Sequence, residues 1–523
     1  MYKFKYIFHM FLLLFILLFP IKSLAIDQMV TGAKATSLAG AVTANPPGIM
    51  AVHYNPAGLS QAREGLMYQQ GFTFMGFNRK NQFSPDLSSR VLDLYDPSDD
   101  PVSNRSSGRG KSYLYYPIYG DMHGDIFSLP LPLGVSYRPQ NSRWVMASGS
   151  YMPFSWGNSY DPDDPSQYQS SAYYQQHLVY ASPGVSYQWS DSFSLGISIG
   201  LGQTALGQNS TLRIPNDILP LSQTFPIPGD ISPFDSLGHM NLEMRDDTAF
   251  SFNAGVLWQP FSSLKLGCVY RSAINSHPKG TFHIQYSDEL LRLSQWYRDN
   301  PAISQKLLNA PGLDKLYNKS EAGSIHLNSF QWPDSIQMGV YYKAKFNLRL
   351  MFDLQWTRWS GQQEYRLIFE KKDTQLVSLL NSLNQSSVKN QTIIYQKENS
   401  DTWTYHFGME WQIKESLAIR SGFFQRPQAI EDSNMDLMSM PSLTYISAGL
   451  EWRWPNRWII EQGFGYFVSK NKSIQNNVST QLNNTDLKNT FFSPYAGQTV
   501  STKVSGFVLS MSVHIPLSQI VYR

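Results

Sequence analysis

Cysteine is almost absent from the 523-residue chain, because Cys268 is the only one. A single cysteine excludes an internal disulfide and any metal site built from several cysteine ligands. Charged residues are also few, at 15%, whereas aromatic residues reach 14%. No basic cluster indicates nucleic-acid binding, and a formal net charge of +3 points to no charged partner. We therefore expect no nucleic-acid partner.

Long apolar runs are missing from the chain, with one exception at its start. Lys3 and Lys5 precede an apolar stretch at 7–19, and Ser23-Leu24-Ala25 supplies small residues for a cleavage site. This pattern predicts a signal peptide over residues 1–25. The alternative is an uncleaved anchor helix, but the run is short for about 30 Å of hydrocarbon. No later run could span a bilayer as a helix, which excludes a helical membrane protein.

Period-two alternation is the main pattern in the rest of the chain. From Trp403 to Trp411 every second residue is large and apolar, and the residues between them include His406 and Glu410. Charges fall on the non-apolar face, where a barrel lumen allows ionic groups to pair and contact water. A soluble sandwich also alternates, but charge on one face and aromatics at the ends of the other favour a transmembrane barrel. We selected these lumen-facing polar candidates: Arg271, Arg349, Asp353, Glu410 and Arg420.

The connections between the alternating segments are alternately short and long. Six short turns and seven long polar loops separate fourteen segments, and the loops are predicted near residues 80–112, 155–175, 206–240, 287–328, 371–391, 427–442 and 470–502. Short periplasmic turns and long outer loops are typical of bacterial outer-membrane barrels. The sequence therefore predicts an all-β fold, a 14-stranded antiparallel transmembrane β-barrel over residues 65–523. An even strand count places both termini on the periplasmic side of a Gram-negative outer membrane.

Residues 26–64 do not fit the strand pattern. The segment is rich in small residues, nearly uncharged, and interrupted by Pro46-Pro47-Gly48 and by Pro56. An apolar segment without a strand period needs burial, so we predict a hatch that plugs the barrel lumen. Asn55 could satisfy backbone groups beside Pro56, while Ala57 and Gly58 permit close approach to the wall. The alternative for these residues is an ordinary turn.

One long connection, residues 287–328, has a helical pattern. Ser287 is a suitable N-cap for a helix from residue 288, and Asn300-Pro301 suggests a second start. Short helices over the outer mouth are expected. They are either surface decoration or a lid whose apolar side chains first contact a hydrophobic ligand, and the candidates are Leu290, Leu293, Trp296, Leu307 and Leu308.

A possible irregularity lies in the segment that begins at Trp144. Pro153 cannot donate a ladder hydrogen bond, and Gly157 follows closely. Proline in a sheet marks an edge, a bulge or a strand end. Pro153 and Gly157 therefore mark either a gap in the barrel wall or the end of this strand at the next loop.

A family resemblance rests on several of these segments. The stretch from Ala35 to Leu59, closing in Tyr54-Asn55-Pro56-Ala57-Gly58-Leu59, resembles the hatch of the FadL-type outer-membrane transporters of long-chain fatty acids. Segments at 246–272, 353–360 and 420–450 are similar to strands of that family in the same order. The resemblance implies a hatch-plugged barrel of fourteen strands. It also implies a lateral window at a kink in the strand that carries Pro153.

These observations lead to two hypotheses of function. The first is passive transport of hydrophobic small molecules, foremost long-chain fatty acids, by binding in the barrel and lateral release into outer-membrane lipid. Aromatic hydrocarbons fit the sequence as well. The second is a structural barrel or adhesin whose long loops bind a partner. In either case we expect a monomer without cofactor or metal.

An enzyme is not expected. Gly196-Ile197-Ser198-Ile199-Gly200 matches a hydrolase motif, but it lies within an alternating strand instead of at a strand-to-helix elbow. The acidic residues near Asp161 lack the spacing of a calcium loop. Ser198 is therefore expected to face the lumen as an ordinary polar residue.

Overall fold

The computed structural model describes residues 30–87, 96–129, 132–213, 234–302, 311–371, 374–382, 388–455, 457–484 and 493–517. The predicted signal peptide (1–25), Leu307, Leu308 and the tail after Leu517 lie outside the described residues. Within these ranges, no helix has both the length and the apolarity needed to cross a bilayer.

The alternating segments form fourteen wall strands, several of them interrupted once. They are β1 Gly65–Pro85, β2 Phe127–Leu129 and Leu133–Arg138, β3 Trp144–Ser159, β4 Ala172–Ala181 and Gly184–Ser190, β5 Phe193–Leu212, β6 Gly238–Phe261, β7 Leu264–Arg271 and Lys279–Tyr286, β8 Ser320–Leu327 and Ser335–Lys343, β9 Leu348–Thr357 and Glu364–Phe369, β10 Thr392–Gln396 and Thr402–Lys414, β11 Leu417–Arg426, β12 Leu443–Arg453, β13 Ile459–Ser469 and β14 Gln498–Pro516.

The sheet closes on itself. Each strand pairs antiparallel with the next, and β1 pairs with β14 from Met67 opposite Pro516 to Pro85 opposite Gln498. Closure satisfies the backbone groups that an edge strand would expose to lipid. The predicted 14-stranded antiparallel barrel is confirmed.

The two faces of the wall differ as the alternation predicts. Apolar side chains such as Phe250 and Ile197 are 63% and 56% exposed on the outer face, whereas Asp353 is fully buried on the inner face. Aromatic residues beside the short turns are exposed, as an interfacial girdle requires: Trp189, Trp258, Phe261, Trp411, Trp452 and Trp454.

Several strands continue beyond the lipid belt into segments that the sequence analysis assigned to loops. β5 reaches Leu212 and β6 begins at Gly238, although residues 206–240 were predicted to form a loop. Above the membrane the outer face no longer needs apolar side chains, so the alternation that predicts a strand disappears while the hydrogen-bonded ladder continues. The described part of the outer connections also contains helices α3 Asp288–Asp299 and α4 Gln375–Ser382.

The N-terminal segment occupies the lower lumen as a series of short helical turns. These are α1 Ala33–Ser37, a 3₁₀ turn Gly48–Met50, α2 Ala51–Tyr54 and a 3₁₀ turn Pro56–Gln61. Most side chains from Ala35 to Leu59 are buried against the wall or each other. We call residues 30–64 the hatch.

Candidate ligand conduit and its hatch

Asn55 joins the hatch to the wall. Its side-chain Oδ1 accepts from the Ala57 backbone N–H at 3.1 Å, which caps the turn that begins at Pro56. Its Nδ2 donates to the carbonyl oxygens of Thr43 in the hatch (2.9 Å) and Val256 in β6 (3.0 Å). One fully buried amide thus satisfies backbone groups on both sides of the contact.

The close approach at this point depends on glycines of the wall. A Cβ at Gly255 would lie 2.1 Å from the Asn55 Oδ1, and one at Gly196 would lie 2.3 Å from the Ala57 nitrogen. Gly58 faces the hatch itself, because its Cβ would lie 2.0 Å from a Pro46 ring carbon. The wall therefore accepts the hatch backbone where it has no side chains of its own.

Two of the lumen-facing polar candidates also bind hatch backbone. Arg271 donates to the His53 and Tyr54 carbonyls at 3.1 Å each, and Asp353 accepts from the Thr43 N–H at 2.8 Å. Burial, together with the Arg271 guanidinium, lowers the pKa of the His53 imidazole well below its usual value. The neutral ring is therefore the form that the packed hatch accommodates.

The other three candidates form a buried ion cluster beside α1. Arg420 contacts Glu410 (2.6 Å), Glu461 (2.8 Å) and Glu451, while Arg349 pairs with Glu410. We call these five residues the ion cluster. Lys34 of α1 lies within electrostatic range of its carboxylates, and removal from water together with Arg420 lowers the pKa of the Lys34 amine.

Arg420→Gln should destabilise the barrel strongly. The change leaves three carboxylates buried without their shared cation, and breaking one side of a buried ion network costs about 3–5 kcal/mol. The measurement is the free energy of unfolding in urea, in lipid vesicles. The matched control is Arg453→Gln, since Arg453 contacts only Glu451 among these carboxylates and its side chain is 40% exposed. Equal losses in the two variants would contradict a central role for Arg420.

Asn55→Ala should impair ligand uptake while the barrel still assembles. The variant loses the cap on Ala57 and both bonds from Nδ2, and each unsatisfied buried group costs about 1–3 kcal/mol. Hydrogen exchange of hatch amides should accelerate, and uptake by cells should fall. Ser60→Ala is the control, because the Ser60 hydroxyl that it removes donates to the Ala57 carbonyl within the hatch. Unchanged uptake and exchange would favour the ordinary-turn alternative.

Three connected cavities lie above the hatch. The outermost encloses a cavity volume of about 90 Å³, the middle one about 30 Å³ and the deepest about 40 Å³. Gln175 lines all three, Phe330 lines the outer two, and Trp332 and Met440 line the inner two. Val30 of the hatch forms part of the deepest cavity. We call this series the conduit.

The conduit walls are largely aromatic and aliphatic. Phe154 stacks on Trp332 with ring centroids 4.5 Å apart, and Phe424 stacks on Tyr445 at 4.6 Å. Such walls suit an apolar ligand that moves through several adjacent positions.

The outer end of the conduit joins an apolar cluster beneath the loop helices. Leu290 and Leu293 of α3 are 3% and 4% exposed in this cluster, and Trp296 is partly buried against it. Leu242 and Leu367 belong to the same cluster and line the outermost cavity. The α3 side chains therefore pack above the conduit entrance. First contact of these side chains with a ligand stays a prediction.

The inner end of the conduit adjoins an irregularity in β3. Tyr151 lies opposite Val179 of β4 and Phe154 opposite His177, so β3 has one additional residue at Met152-Pro153. This is a β-bulge, which bends a strand and increases its twist. Pro153 does not end the strand, because β3 continues to Ser159.

On its other side, the pairing between the described residues of β3 and β2 stops at the same height. β2 pairs with β3 only up to Leu133 opposite Ser150, and the next described pairing is Ser112 opposite Asn158. Among the described residues, none pairs with this side of β3 between those points. The deepest cavity is lined by Phe154 and Trp156 from this interval.

Ser198 has no catalytic surroundings. Its Oγ–H donates to the Val52 carbonyl of the hatch at 2.5 Å, and Asn253 donates to the same Oγ at 3.1 Å. The motif lies in the middle of β5, without an elbow. In the described part of the chain, no group of three His, Cys, Asp or Glu side chains could hold a metal ion.

Sequence reasoning found the residues that hold the hatch but missed those that line the conduit. Gln175, Trp332 and Met440 come from segments assigned to loops or strand ends. The available signal was the concentration of Trp, Tyr and Met in those segments, which polar loops rarely contain.

A closed barrel with a lumenal hatch and an apolar conduit defines the class of hatch-plugged outer-membrane channels. The family model described as outer membrane protein transport protein (OMPP1/FadL/TodX) matches residues 23–516, and the chain belongs to this family. Membership of this family makes the chain an outer-membrane transport protein.

Individual relatives are distant. A 47 kDa outer membrane protein of Pasteurella multocida is 21% identical over 230 residues, which is 44% of this chain and 46% of that protein. The chain thus matches less than half the length of this relative. The structure of a FadL homologue of Pseudomonas aeruginosa has a TM-score of 0.67 at 16% identity, over 95% of this chain and 100% of that one. The Pseudomonas putida toluene transporter TodX has a TM-score of 0.57 at 13% identity, over 93% and 98%. At these identities the likeness concerns the fold alone.

Proposed function

We propose that this protein carries long-chain fatty acids through the conduit and releases them sideways into the bilayer at the bulge in β3. The observation that carries the proposal is the series of cavities, which begins under α3 and ends beside Phe154 and Trp156. The closed barrel encloses the whole path, so a monomer suffices.

The energetics favour stepwise movement. Burial of each methylene contributes about 0.8 kcal/mol, so a chain of about fourteen carbons would gain roughly 11 kcal/mol gross before ordering costs. One pocket with that affinity would retain the ligand. Three cavities that share Gln175 allow the chain to leave one position as it enters the next.

Charged side chains in the conduit favour an amphiphilic ligand, such as a fatty acid, over a neutral hydrocarbon. Arg426 lines the deepest cavity, and Lys397 lines the outer two, where its Nζ contacts the Asp436 carboxylate at 2.6 Å. Both cations are buried, so a carboxylate beside them would interact in a medium of low dielectric constant. A neutral hydrocarbon gains nothing from these groups.

Sideways release avoids the free-energy cost of exposing the ligand to water. The bulge at Met152-Pro153 and the unpaired side of β3 lie next to the deepest cavity. A ligand that leaves there passes from apolar wall to apolar lipid and is never rehydrated. The structural-barrel or adhesin hypothesis gives no role to an apolar conduit through the lumen.

Lipid mass spectrometry of protein purified in detergent tests the substrate. We expect co-purified long-chain fatty acids, at lower occupancy in Arg426→Gln. If aromatic hydrocarbons co-purify instead of fatty acids, and Arg426→Gln does not change their occupancy, the substrate is an aromatic hydrocarbon and the fatty-acid proposal is wrong. An empty lumen that binds neither class on addition would instead favour the structural hypothesis.

A further inference from the structure

A second feature of this wall is a hairpin that leaves the barrel. Its strands are Lys111–Tyr116 and Gly120–Gly124, paired from Ser112 opposite Gly124 to Tyr116 opposite Gly120. We call residues 111–126 the outer hairpin. It begins within the sheet, where Lys111 lies opposite Ser159 of β3.

The hairpin then crosses the outer surface of the barrel. Tyr115 exchanges hydrogen bonds with the Gln176 amide, whose Oε1 accepts at 2.9 Å and whose Nε2 donates at 2.6 Å. The next residue, His177, bonds to Thr204, which also accepts from Trp332 in the conduit. Successive strand residues point to opposite faces of a sheet. Gln175 faces the conduit, so Gln176 and the hairpin that it binds lie on the outer face of the barrel.

Close packing fixes the hairpin on this surface. A Cβ at Gly157 would lie 1.9 Å from the Tyr113 carbonyl oxygen, so only glycine allows the hairpin backbone to approach β3 here. The rings of Tyr113 and Tyr174 are 5.3 Å apart, and the Arg245 guanidinium lies over the Tyr115 ring at 4.9 Å. Gly157, predicted to mark a kink, thus accommodates the outer hairpin.

Register gives the height of the hairpin relative to the lipid belt. Gln176 lies opposite Ala205 of β5, which lies opposite the charged Arg245 of β6. Four residues lower, Leu201 lies opposite Phe250, and both are exposed in the apolar belt. At about 3.3 Å per residue this descent is roughly 13 Å.

The hairpin points toward that belt. β3 runs outward from its short periplasmic turn, and Lys111–Tyr116 is antiparallel to it, so the hairpin descends toward the membrane. Its turn lies two to four residues beyond Tyr115, which covers most of the distance to the level of Leu201 and Phe250. The turn therefore lies at the upper edge of the lipid belt.

The turn itself has an unusual sequence. The Tyr119 N–H donates to the Tyr116 carbonyl at 3.1 Å, Pro117 follows Tyr116, and Ile118 has φ +80°. This is the pattern of a type II turn, whose third position normally holds glycine or asparagine. A β-branched residue is strained at positive φ. Strain of this kind indicates that the side chain serves another purpose.

Exposure shows what that purpose is. Ile118 is 97% exposed and Tyr119 80%, and Met122 and Ile126 are 48% and 58% exposed. Among the described residues, no other segment covers these apolar groups. Ile118 and Tyr119, at the turn, are the two that lie nearest to the level of the lipid-facing side chains of β5 and β6.

We propose that the outer hairpin is a membrane anchor whose tip contacts acyl chains of the outer leaflet over the outer face of β4 to β6. Tyr119 has an apolar body and a polar hydroxyl, which suits the boundary between acyl chains and headgroups. This proposal depends on the outer-membrane location and not on the compound transported.

The single native cysteine makes a direct test possible. In a Cys268→Ser background, Tyr119→Cys carries a nitroxide spin label, and the full chain is placed in phosphatidylethanolamine–phosphatidylglycerol vesicles. Collision rates with oxygen and with a water-soluble nickel chelate report depth. The controls are Phe250→Cys in the lipid belt and Gln295→Cys, which is exposed on α3.

We expect the oxygen-to-nickel ratio at Tyr119→Cys to approach that of Phe250→Cys. A ratio equal to that of Gln295→Cys would overturn the proposal, because the tip would be in water. Dipolar broadening between labels on two molecules would also overturn it, since a second copy would then cover the tip.

The variant Ile118→Asn distinguishes loss of the lipid contact from loss of the hairpin structure. Asparagine fits the turn at least as well as isoleucine, so the hairpin should form, but the apolar contact is lost. The Tyr119→Cys ratio should shift toward the aqueous control. An unchanged ratio would contradict an anchoring role for Ile118.

Discussion

Replacement of Gln175 by tryptophan should abolish ligand uptake without preventing barrel assembly. Gln175 lies on the inner face of β4 and lines every cavity of the conduit. An indole in this position fills the junction between the cavities. Its neighbours Trp332 and Met440 could clear the path only by overpacking, which typically costs about 1–3 kcal/mol.

Uptake of a radiolabelled fatty acid by cells that lack other fatty-acid transporters measures the effect. We expect uptake at least about tenfold below wild type, since 1.4 kcal/mol corresponds to a factor of ten. Tyr180→Trp is the matched control, because Tyr180 lies on the same strand but is 40% exposed on the outer face. If both variants transport at the wild-type rate, the ligand does not pass Gln175.

Deletion of Pro153 should seal the lateral exit. At the bulge, the four residues Tyr151–Phe154 of β3 lie opposite only the three residues 177–179 of β4. Removal of one residue from β3 therefore restores one-to-one pairing and regular alternation. Without the bulge, β3 is no longer bent and can lie alongside the adjacent wall strands. We expect fatty acid still bound in the purified protein but uptake into cells lost.

Pro153→Ala is the control for this deletion. It removes the proline but keeps the additional residue, so the bulge and transport should both persist. A Gly157→Val variant is less informative, because its side chain would collide with the Tyr113 carbonyl of the outer hairpin. Normal transport by the deletion variant would show that the ligand leaves by another path.

The sequence predicted those parts of the molecule that depend on local chemistry. Alternation predicted the wall strands because each has one face in lipid, and the six short turns fell between them. The capping role of Asn55 followed from its position before Pro56 and from its donors and acceptor. Charge on an otherwise apolar strand was enough to place Arg420 and Asp353 in the lumen.

The rest depends on contacts between distant segments. The role of Gly196 and Gly255 appears only when the hatch lies against β5 and β6. The first predicted long loop ended near Ser112, so the second wall strand was expected to follow it directly. The structure places the residues after Ser112 in the outer hairpin and begins β2 at Phe127. Composition does not indicate which neighbour a strand will pair with.

The most direct test of the account is photo-crosslinking of intact cells with a long-chain fatty acid that carries a diazirine near its methyl end. Peptide mapping then identifies the labelled residues. Labels should fall on conduit peptides that contain Trp332 and Met440, should be removed by excess unlabelled fatty acid, and should be lost in Gln175→Trp. Labels confined to lipid-facing peptides such as those with Phe250 and Ile199, unchanged in that variant, would contradict transport through the lumen.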